Sequence, residues 1–194
     1  LWSAGRLRSI GWHLASYCTP LLLLDFTTCK RYPGVPQAWE RPYIALQRVR
    51  LLPMSPPTAW ELLWQPVAAL LIYDAVFYWV HFLLHRSSWL YRTVHKEHHG
   101  VDRVLNHTVT NRLTLVERVS LVLLANESLK MVQAHPLSRS VFVFHFLFLL
   151  ADSHSNLDIP VWIDKLSFGW IGSASAHCSH HTENCHSFAP LFTH

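Results

Sequence analysis

The sequence has little charge and lacks the short motifs that mark several common cofactor sites. Asp, Glu, Lys and Arg make up 14% of its 194 residues, against about 25% in a typical soluble domain. It contains no GxGxxG loop, no Walker motif and no c-type haem signature, so nothing in it predicts a built-in nucleotide, flavin or covalently attached haem. The four cysteines form no CxxC pair, and Cys178 and Cys185 stand beside a histidine motif, which favours a reducing compartment.

Apolar and aromatic residues take the place of the missing charge. Hydrophobic residues make up 51% of the chain, including nine Trp and six Tyr, and such aromatic residues favour the membrane–water boundary. The basic residues are scattered among apolar runs, which argues against nucleic acid as a partner. No window of about eighteen residues is free of charge, so hydropathy alone does not define membrane spans. We predict one all-α fold, an integral membrane helical bundle.

Apolar runs alternate with polar segments along the chain. The run 10–24 is charge-free, whereas 29–57 is basic and rich in proline, which predicts a loop. A longer apolar run covers 59–84, and the runs 113–131 and 140–151 predict a helical hairpin. The histidine motifs on either side of this hairpin can share a site only if it enters the membrane and returns.

These patterns divide the chain into two units. Residues 1–58 are predicted to form an N-terminal membrane segment with a basic, proline-rich loop, and residues 59–194 a second, histidine-rich unit. The chain begins with Leu1 rather than Met and stops at His194 without a polar tail, so we expect truncation, at the C-terminus above all.

Histidines form three short motifs: HxxxH at 81–85, and HxxHH at 95–99 and again at 177–181. At about 3.6 residues per turn, the histidines of each motif are predicted to share one helix face. Neutral imidazole binds iron, zinc, copper or nickel, and a single zinc takes only three or four ligands. Solvated or hydrogen-bonded histidines are the alternative, but helical histidines in so apolar a chain are costly without a partner. The motifs therefore predict a dinuclear metal centre with the ligands His81, His85, His95, His98, His99, His177, His180 and His181.

Three further residues are predicted to belong to this centre. His154 follows the last apolar run and returns to the side of the motifs, so we expect it to be a ligand. Asp158, four residues later, is a candidate carboxylate ligand if that piece is helical. Asp74 precedes His81 by two helical turns and is either a capped or hydrogen-bonded boundary residue or the acceptor for a metal-bound imidazole, which we favour.

The order of these motifs resembles that of the fatty acid hydroxylase superfamily, integral membrane sterol and lipid oxidases with histidine motifs. The likeness covers roughly residues 60–194 and includes the passages 89–96, 135–137, 168–170 and 188–194, which are more specific than the histidines that desaturases share. The chain departs from the family pattern at Ala176, where a further histidine is usual, and at Asp158, where asparagine is usual.

The resemblance implies a multi-pass endoplasmic-reticulum membrane protein whose metal centre faces the cytosol. It implies two iron ions, for which zinc can substitute, and O2-dependent hydroxylation of a sterol side chain, giving an oxysterol. Electrons would come from a separate reductase, with NADPH as the donor. The alternatives are another lipid oxidase, such as a sterol desaturase, methyl-sterol oxidase or fatty acyl hydroxylase, and a non-catalytic sterol-binding membrane protein.

Overall fold

The protein is mostly helical, which confirms the predicted class at that level. The computed structural model describes residues 4–34, 48–100, 105–106, 109–157, 159–172, 174–183 and 187–192. The helices are α1 (Ala4–Thr27), α2 (Ala59–Arg86), α3 (Ser88–Leu90), α4 (Lys96–His99), α5 (Leu115–Met131), α6 (Pro136–Ser153), α7 (Ile163–Leu166) and α8 (Ala174–Glu183). A π-helical turn covers Tyr91–His95, and a 3₁₀ turn covers Val109–Asn111.

Two short strands lie in the segment that the sequence predicts to be a loop. β1 (Thr28–Arg31) pairs in parallel with β2 (Arg48–Leu51), with Cys29 opposite Val49. The predicted loop was wrong for these two stretches. The prolines of the segment lie outside both strands, so the strand residues keep the backbone N–H groups that pair.

α2 begins at a capping box and continues through an apolar run. The Thr58 side chain accepts a hydrogen bond from the Glu61 backbone N–H, and the Glu61 carboxylate accepts one from the Thr58 N–H in return. Of the helices described, only α2 is long and apolar enough to cross a membrane, by length and composition. Since one described helix meets this criterion, a bundle that crosses the membrane several times is a proposal.

α2 lies at the centre of the described fold, in contact with both α5 and α6, while α1 contacts α5 and α8 contacts α6. A small core joins these elements where Ala69, Leu129, Ala134 and Phe142 pack together, all of them buried. The predicted helical hairpin is therefore present as α5 and α6. Both helices of the hairpin pack against α2, which carries the first histidine motif.

α6 begins at a residue that both caps it and ties it to α2. The His135 Nδ1 accepts a hydrogen bond from the Leu137 N–H, and Pro136 occupies the first turn, where no donor is lost. The His135 backbone N–H donates to the Gln65 side chain of α2 over 3.0 Å. His135 thus has a structural role at the end of α6 remote from the histidine motifs.

Candidate metal centre

The chain reverses direction between the first two histidine motifs within a few residues. α2 ends at Arg86, and Ser87 caps the single turn α3 by accepting a hydrogen bond from the Leu90 N–H. The π-helical turn that follows rotates the chain before α4, and such turns occur often at functional sites. The result is that four imidazoles of these two motifs, those of His81, His85, His95 and His99, lie together in one group.

Five histidine side chains from α2, the π-helical turn, α4 and α8 form a first group. Their candidate ligand atoms, one from each imidazole, all lie within 4.8 Å of one another. The His81 and His95 Nε2 atoms are 2.8 Å apart, those of His85 and His81 3.2 Å, and those of His99 and His95 2.9 Å. The members of this group are His81, His85, His95, His99 and His180.

The protonation of these rings follows from what their other nitrogens contact. The His81 Nδ1 lies 2.7 Å from the Phe188 carbonyl oxygen, which only accepts, so Nδ1 carries the proton and Nε2 of the neutral ring has a lone pair. The His95 Nδ1 lies 2.6 Å from the Glu117 Oε1, and with a carboxylate there the same assignment holds. Two lone pairs then face each other across 2.8 Å. That arrangement is repulsive unless one cation binds both atoms as neighbouring ligands, each at a metal–nitrogen distance of about 2.1 Å.

Four more histidines form a second, adjacent group. The His177 Nε2 lies 3.0 Å from the His154 Nε2 and 3.1 Å from the His181 Nε2. The His154 Nδ1 donates to the Leu150 carbonyl over 2.8 Å, so its Nε2 also has a lone pair directed at its neighbours. His98 completes the group. The two groups touch where the rings of His99 and His181 stack with centroids 4.5 Å apart.

Each HxxHH motif divides its histidines between the two groups. His95 and His99 belong to the first group and His98 to the second, whereas His177 and His181 belong to the second and His180 to the first. The prediction that the histidines of each motif share one helix face was wrong for the two HxxHH motifs. Neighbouring residues on a helix point about 100° apart, so the i, i+4 pair faces one group while the middle histidine faces the other.

Burial keeps the imidazoles outside the long helices neutral. It lowers the pKa of His95 to about 3, with the nearby His85 and His180 contributing further, and lowers the pKa of His181 to about 3, with a contribution from His154. The pKa of His98 is lowered well below its usual value for the same reason. A neutral ring is the form that binds a metal ion.

Of the two carboxylates predicted to belong to the centre, the structure describes Asp74. Asp158 lies outside the described residues, and its ligand role remains a prediction. Asp74 is buried, and its Oδ1 accepts a hydrogen bond from the Leu191 N–H over 2.8 Å. Leu191 belongs to the segment 187–192, whose Phe188 carbonyl contacts His81, so this bond connects Asp74 to the centre through the backbone of that segment. Its predicted contact with an imidazole remains a prediction.

Sequence reasoning missed Glu117, which is buried in the first turn of α5 and contacts the His95 Nδ1. Thr114 and Glu117 form a T-x-x-E pattern that predicts a capping box. Thr114 does cap α5, accepting from the Glu117 N–H over 3.2 Å, but the Glu117 carboxyl group turns to His95. One feature of the sequence could have indicated this role: an acidic residue at the start of an apolar helix. An acid that is buried at such a place needs a hydrogen-bonding partner.

The donor set fits two transition-metal ions. Nine imidazoles in groups of five and four exceed the needs of one ion, and their nitrogens suit iron, zinc, copper or nickel. The Nδ1 contacts of His81, His95 and His154 to carbonyl or carboxyl oxygen are the outer hydrogen bonds that metal-bound histidines usually make. The arrangement can therefore hold two ions side by side.

Comparisons with known proteins agree with this chemistry. The sequence model of the family described as Fatty acid hydroxylase matches residues 66–194. Cholesterol 25-hydroxylase of Rattus norvegicus is 36% identical over 146 residues, covering 74% of this chain and 48% of the relative. The Homo sapiens cholesterol 25-hydroxylase is 34% identical over 146 residues, covering 74% of this chain and 53% of the relative.

A more distant relative extends the comparison to fish. A cholesterol 25-hydroxylase-like protein of Danio rerio is 31% identical over 139 residues, covering 71% of this chain and 55% of the relative. The chain thus spans about half the length of the curated relatives that it matches. No solved structure matches it. From the family match and the identity to these relatives, the chain belongs to the fatty acid hydroxylase family.

Proposed function

We propose that this chain forms the catalytic part of a membrane-bound sterol side-chain hydroxylase that uses O2 and two iron ions. The observation that carries the proposal is the convergence of histidine Nε2 lone pairs in two adjacent buried groups. Membership of the fatty acid hydroxylase family supports a hydroxylase, and the names of the relatives support a sterol substrate such as cholesterol, oxidised at carbon 25.

The two groups would each hold one ion. The first iron would be bound by His81, His85, His95, His99 and His180, and the second by His98, His154, His177 and His181. Asp158 is proposed as a further ligand of the second ion. When bound, the iron pair supplies the activation of O2 that oxidation of an unreactive C–H bond requires.

The residues around the histidines orient the ligands. The Phe188 and Leu150 carbonyls keep the proton of His81 and His154 on Nδ1, so that both Nε2 atoms stay available. The Glu117 Oε1, 2.6 Å from the His95 Nδ1, is the corresponding partner of His95 and fixes the orientation of its ring. Burial of His95, His98 and His180 excludes water from the space between the groups.

Electrons are proposed to come from a separate reductase, with NADPH as the donor. This sequence has no nucleotide or flavin motif, which is the reason to propose a separate reductase. The site would face the cytosol, where such a reductase has access to NADPH.

The location of the protein is proposed to be the endoplasmic-reticulum membrane, crossed more than once. The exposed face of α2 carries large apolar side chains such as Trp60, Leu71 and Trp79, which suit contact with lipid and approach of a sterol. We further propose that residues 59–194 form the hydroxylase unit and residues 1–58 a membrane segment with a basic loop.

Sterol profiling by mass spectrometry tests the function. Cells expressing the chain are compared with cells expressing His98→Ala, which removes a donor from the second group, and His145→Ala. His145 is the matched control because it is exposed and hydrogen-bonds only to the Val141 carbonyl among the contacts described. We expect a new side-chain hydroxysterol with the unmodified chain and with His145→Ala, and none with His98→Ala.

Two results would change the conclusion. A different oxidised lipid that depends on His98 would assign the chain to another membrane lipid oxidase of the family. No oxidised lipid from a stably expressed, metal-loaded chain, or a product that survives His98→Ala, would favour a non-catalytic sterol-binding protein.

A further inference from the structure

A cluster of charged side chains lies far from the histidines of the metal centre, around a cavity of about 510 Å³. The cavity is bounded by β2, the last turn of α5 and the first turn of α6, and Arg50, Lys130, Gln133 and Arg139 line it. Arg139 and His154 are separated by about four turns of helix, or about 20 Å. The cluster therefore belongs to a different part of the molecule from the metal centre.

Two of the cations converge on one acceptor. The Arg50 Nη2 donates to the Ala134 carbonyl over 2.9 Å, and the Arg139 Nε donates to the same oxygen over 3.2 Å. Two guanidinium groups that share one carbonyl repel each other, and a neutral oxygen offsets little of that repulsion. Burial also lowers the pKa of Arg50, because desolvation disfavours its charged form.

The hydrogen-bonding capacity of Arg139 is only partly used. Its Nη1 donates to the Asn126 side chain over 3.1 Å, while its Nη2 is buried with no partner among the described residues. A buried guanidinium nitrogen without an acceptor is costly. An oxyanion in the cavity would supply that acceptor.

Negative charge near the cavity is limited to one side chain in the contacts described. Glu127 pairs with the Lys130 Nζ over 2.6 Å and is about half exposed to solvent. Among the contacts described, one carboxylate faces three cations, Arg50, Lys130 and Arg139, so the described side chains around the cavity carry an excess of positive charge. Arginine forks are well suited to phosphate oxygens.

We propose that this cavity is a binding site for a phosphate-type anion, held by Arg50, Arg139 and Lys130. The anion is either free phosphate or the phosphate of a lipid headgroup, because both present the same oxygens to the two guanidinium groups. The site lies outside the proposed hydroxylase chemistry, so the anion is a bound ligand and takes no part in a reaction.

Binding to the full chain in phosphate-free detergent, measured by calorimetry, is the first arm of the test. Inorganic phosphate is the probe, and the variants are Arg139→Gln and, as a matched control, Lys165→Gln. Lys165 is an exposed cation outside the cavity whose Nζ donates to the Ile159 carbonyl. We expect Arg139→Gln to weaken binding about tenfold or more, since hydrogen bonds to charged groups have that worth, and Lys165→Gln to leave it unchanged.

The second arm distinguishes the source of the anion. The protein is titrated with phosphatidylcholine nanodiscs that contain or lack phosphatidic acid. Binding to phosphatidic acid that Arg139→Gln weakens, without binding of inorganic phosphate, identifies a lipid headgroup. Binding of inorganic phosphate that Arg139→Gln weakens, without binding to phosphatidic acid, identifies free phosphate.

A variant with the opposite sign protects the test against misfolding. Glu127→Gln removes the one opposing carboxylate from an exposed position, so it should tighten anion binding several-fold, which a damaged fold would not do. Absence of binding in both arms overturns the proposal. So does binding that Arg139→Gln and Glu127→Gln leave unchanged.

Discussion

At the scale of single residues, Glu61 and Glu117 show how burial changes the role of one side chain. Each stands three residues after a threonine that caps a helix, and in each case the glutamate backbone N–H donates to that threonine side chain. Glu61 is in a solvated position and returns its carboxylate to the Thr58 N–H. Glu117 is buried and instead contacts the His95 Nδ1 over 2.6 Å.

Replacing Glu117 by glutamine should weaken metal binding, with Glu61→Gln as the matched control. The amide is a weaker acceptor for the His95 Nδ1 proton than a carboxylate and cannot ionise when a metal ion binds the ring, and loss of such an outer partner typically lowers metal affinity by about 10- to 100-fold. We expect Glu61→Gln to keep the affinity of the unmodified chain. Competition with a chelator, read by elemental analysis, measures both. Equal affinities of the two variants would remove Glu117 from the metal centre.

Stability should fall in acid because the buried imidazoles resist protonation. Burial lowers the pKa of His95 and of His181 to about 3, whereas imidazoles of the unfolded chain have pKa values near about 6.5. Below that pH the unfolded chain binds protons that the folded chain does not, so the free energy of unfolding decreases as pH falls from about 6.5 towards 3.

Chemical unfolding of the chelator-treated protein in detergent measures this effect. We expect a lower free energy of unfolding at pH 5.0 than at pH 7.5, and with it a lower midpoint. The decrease is up to about 1.4 kcal/mol for each fully buried imidazole and each pH unit below about 6.5. Between pH 7.5 and 8.5 these histidines contribute no change. A midpoint that stays constant from pH 7.5 to 5.0 would contradict the neutral assignment.

At the scale of elements, the segment 187–192 is held by a few hydrogen bonds, one of them to a buried carboxylate. Asp74 accepts from the Leu191 N–H, and the Leu191 carbonyl accepts from the Gly172 N–H over 2.6 Å. An isolated bridge also pairs Ile171 with Phe192. These bonds hold the Phe188 carbonyl against His81.

Asp74→Ala should release this segment, whereas Asp74→Asn should retain it. Alanine leaves the Leu191 N–H without its acceptor, while asparagine still offers a side-chain oxygen at the same place. Hydrogen exchange followed by mass spectrometry is expected to be about tenfold faster across 187–192 in the alanine variant, as loss of one hydrogen bond implies. Identical exchange in the two variants would mean that Asp74 does not position the segment.

The start of α5 is also fixed to the metal centre. Thr114 caps the helix through the Glu117 N–H and donates its hydroxyl proton to the Val94 carbonyl in the π-helical turn over 2.9 Å. Thr58 caps α2 without a described contact to that turn.

Thr114→Ala should therefore affect both stability and metal binding, and Thr58→Ala stability alone. Loss of a threonine cap costs about 1 kcal/mol in either helix. Only Thr114→Ala also frees the turn that carries His95, so its metal content should decrease. Thermal unfolding and elemental analysis of the same samples separate the two effects. Full metal retention by Thr114→Ala would show that the turn is held by other contacts.

At the scale of the whole molecule, α2 combines an apolar outer face with the first two metal-site histidines. Leu71 lies near the middle of the helix and is 49% exposed. If the outer face contacts lipid, Leu71→Arg places a charge at the centre of the span, at a cost of about 3 kcal/mol for insertion. Leu71→Ala changes size without charge. We expect alkaline extraction to remove Leu71→Arg from membranes and to leave Leu71→Ala in them. Equal retention would argue against α2 as a span.

The sequence was informative where a pattern repeats and uninformative where a contact depends on tertiary structure. Periodic histidines in an apolar chain predicted eight of the side chains that the structure brings together, and the place of His154 after the last apolar run predicted the ninth. The division of each HxxHH motif depends on how α4 and α8 face each other, which spacing does not determine. The Phe188 carbonyl is a backbone group, so the amino-acid type at position 188 does not predict its contact with His81. β1 and β2 were missed because four-residue strands carry too short a pattern.

The division of the HxxHH motifs also bears on biosynthesis. The first group needs His180 and the second needs His177 and His181, while both need residues of the α2–α4 region. Neither ion can acquire its full set of donors until the ribosome has produced the whole stretch from His81 to His181. For the proposed two-ion site, metal insertion would therefore be a late event, and the helices made first would carry histidines without their metal ion, at risk of capturing the wrong one.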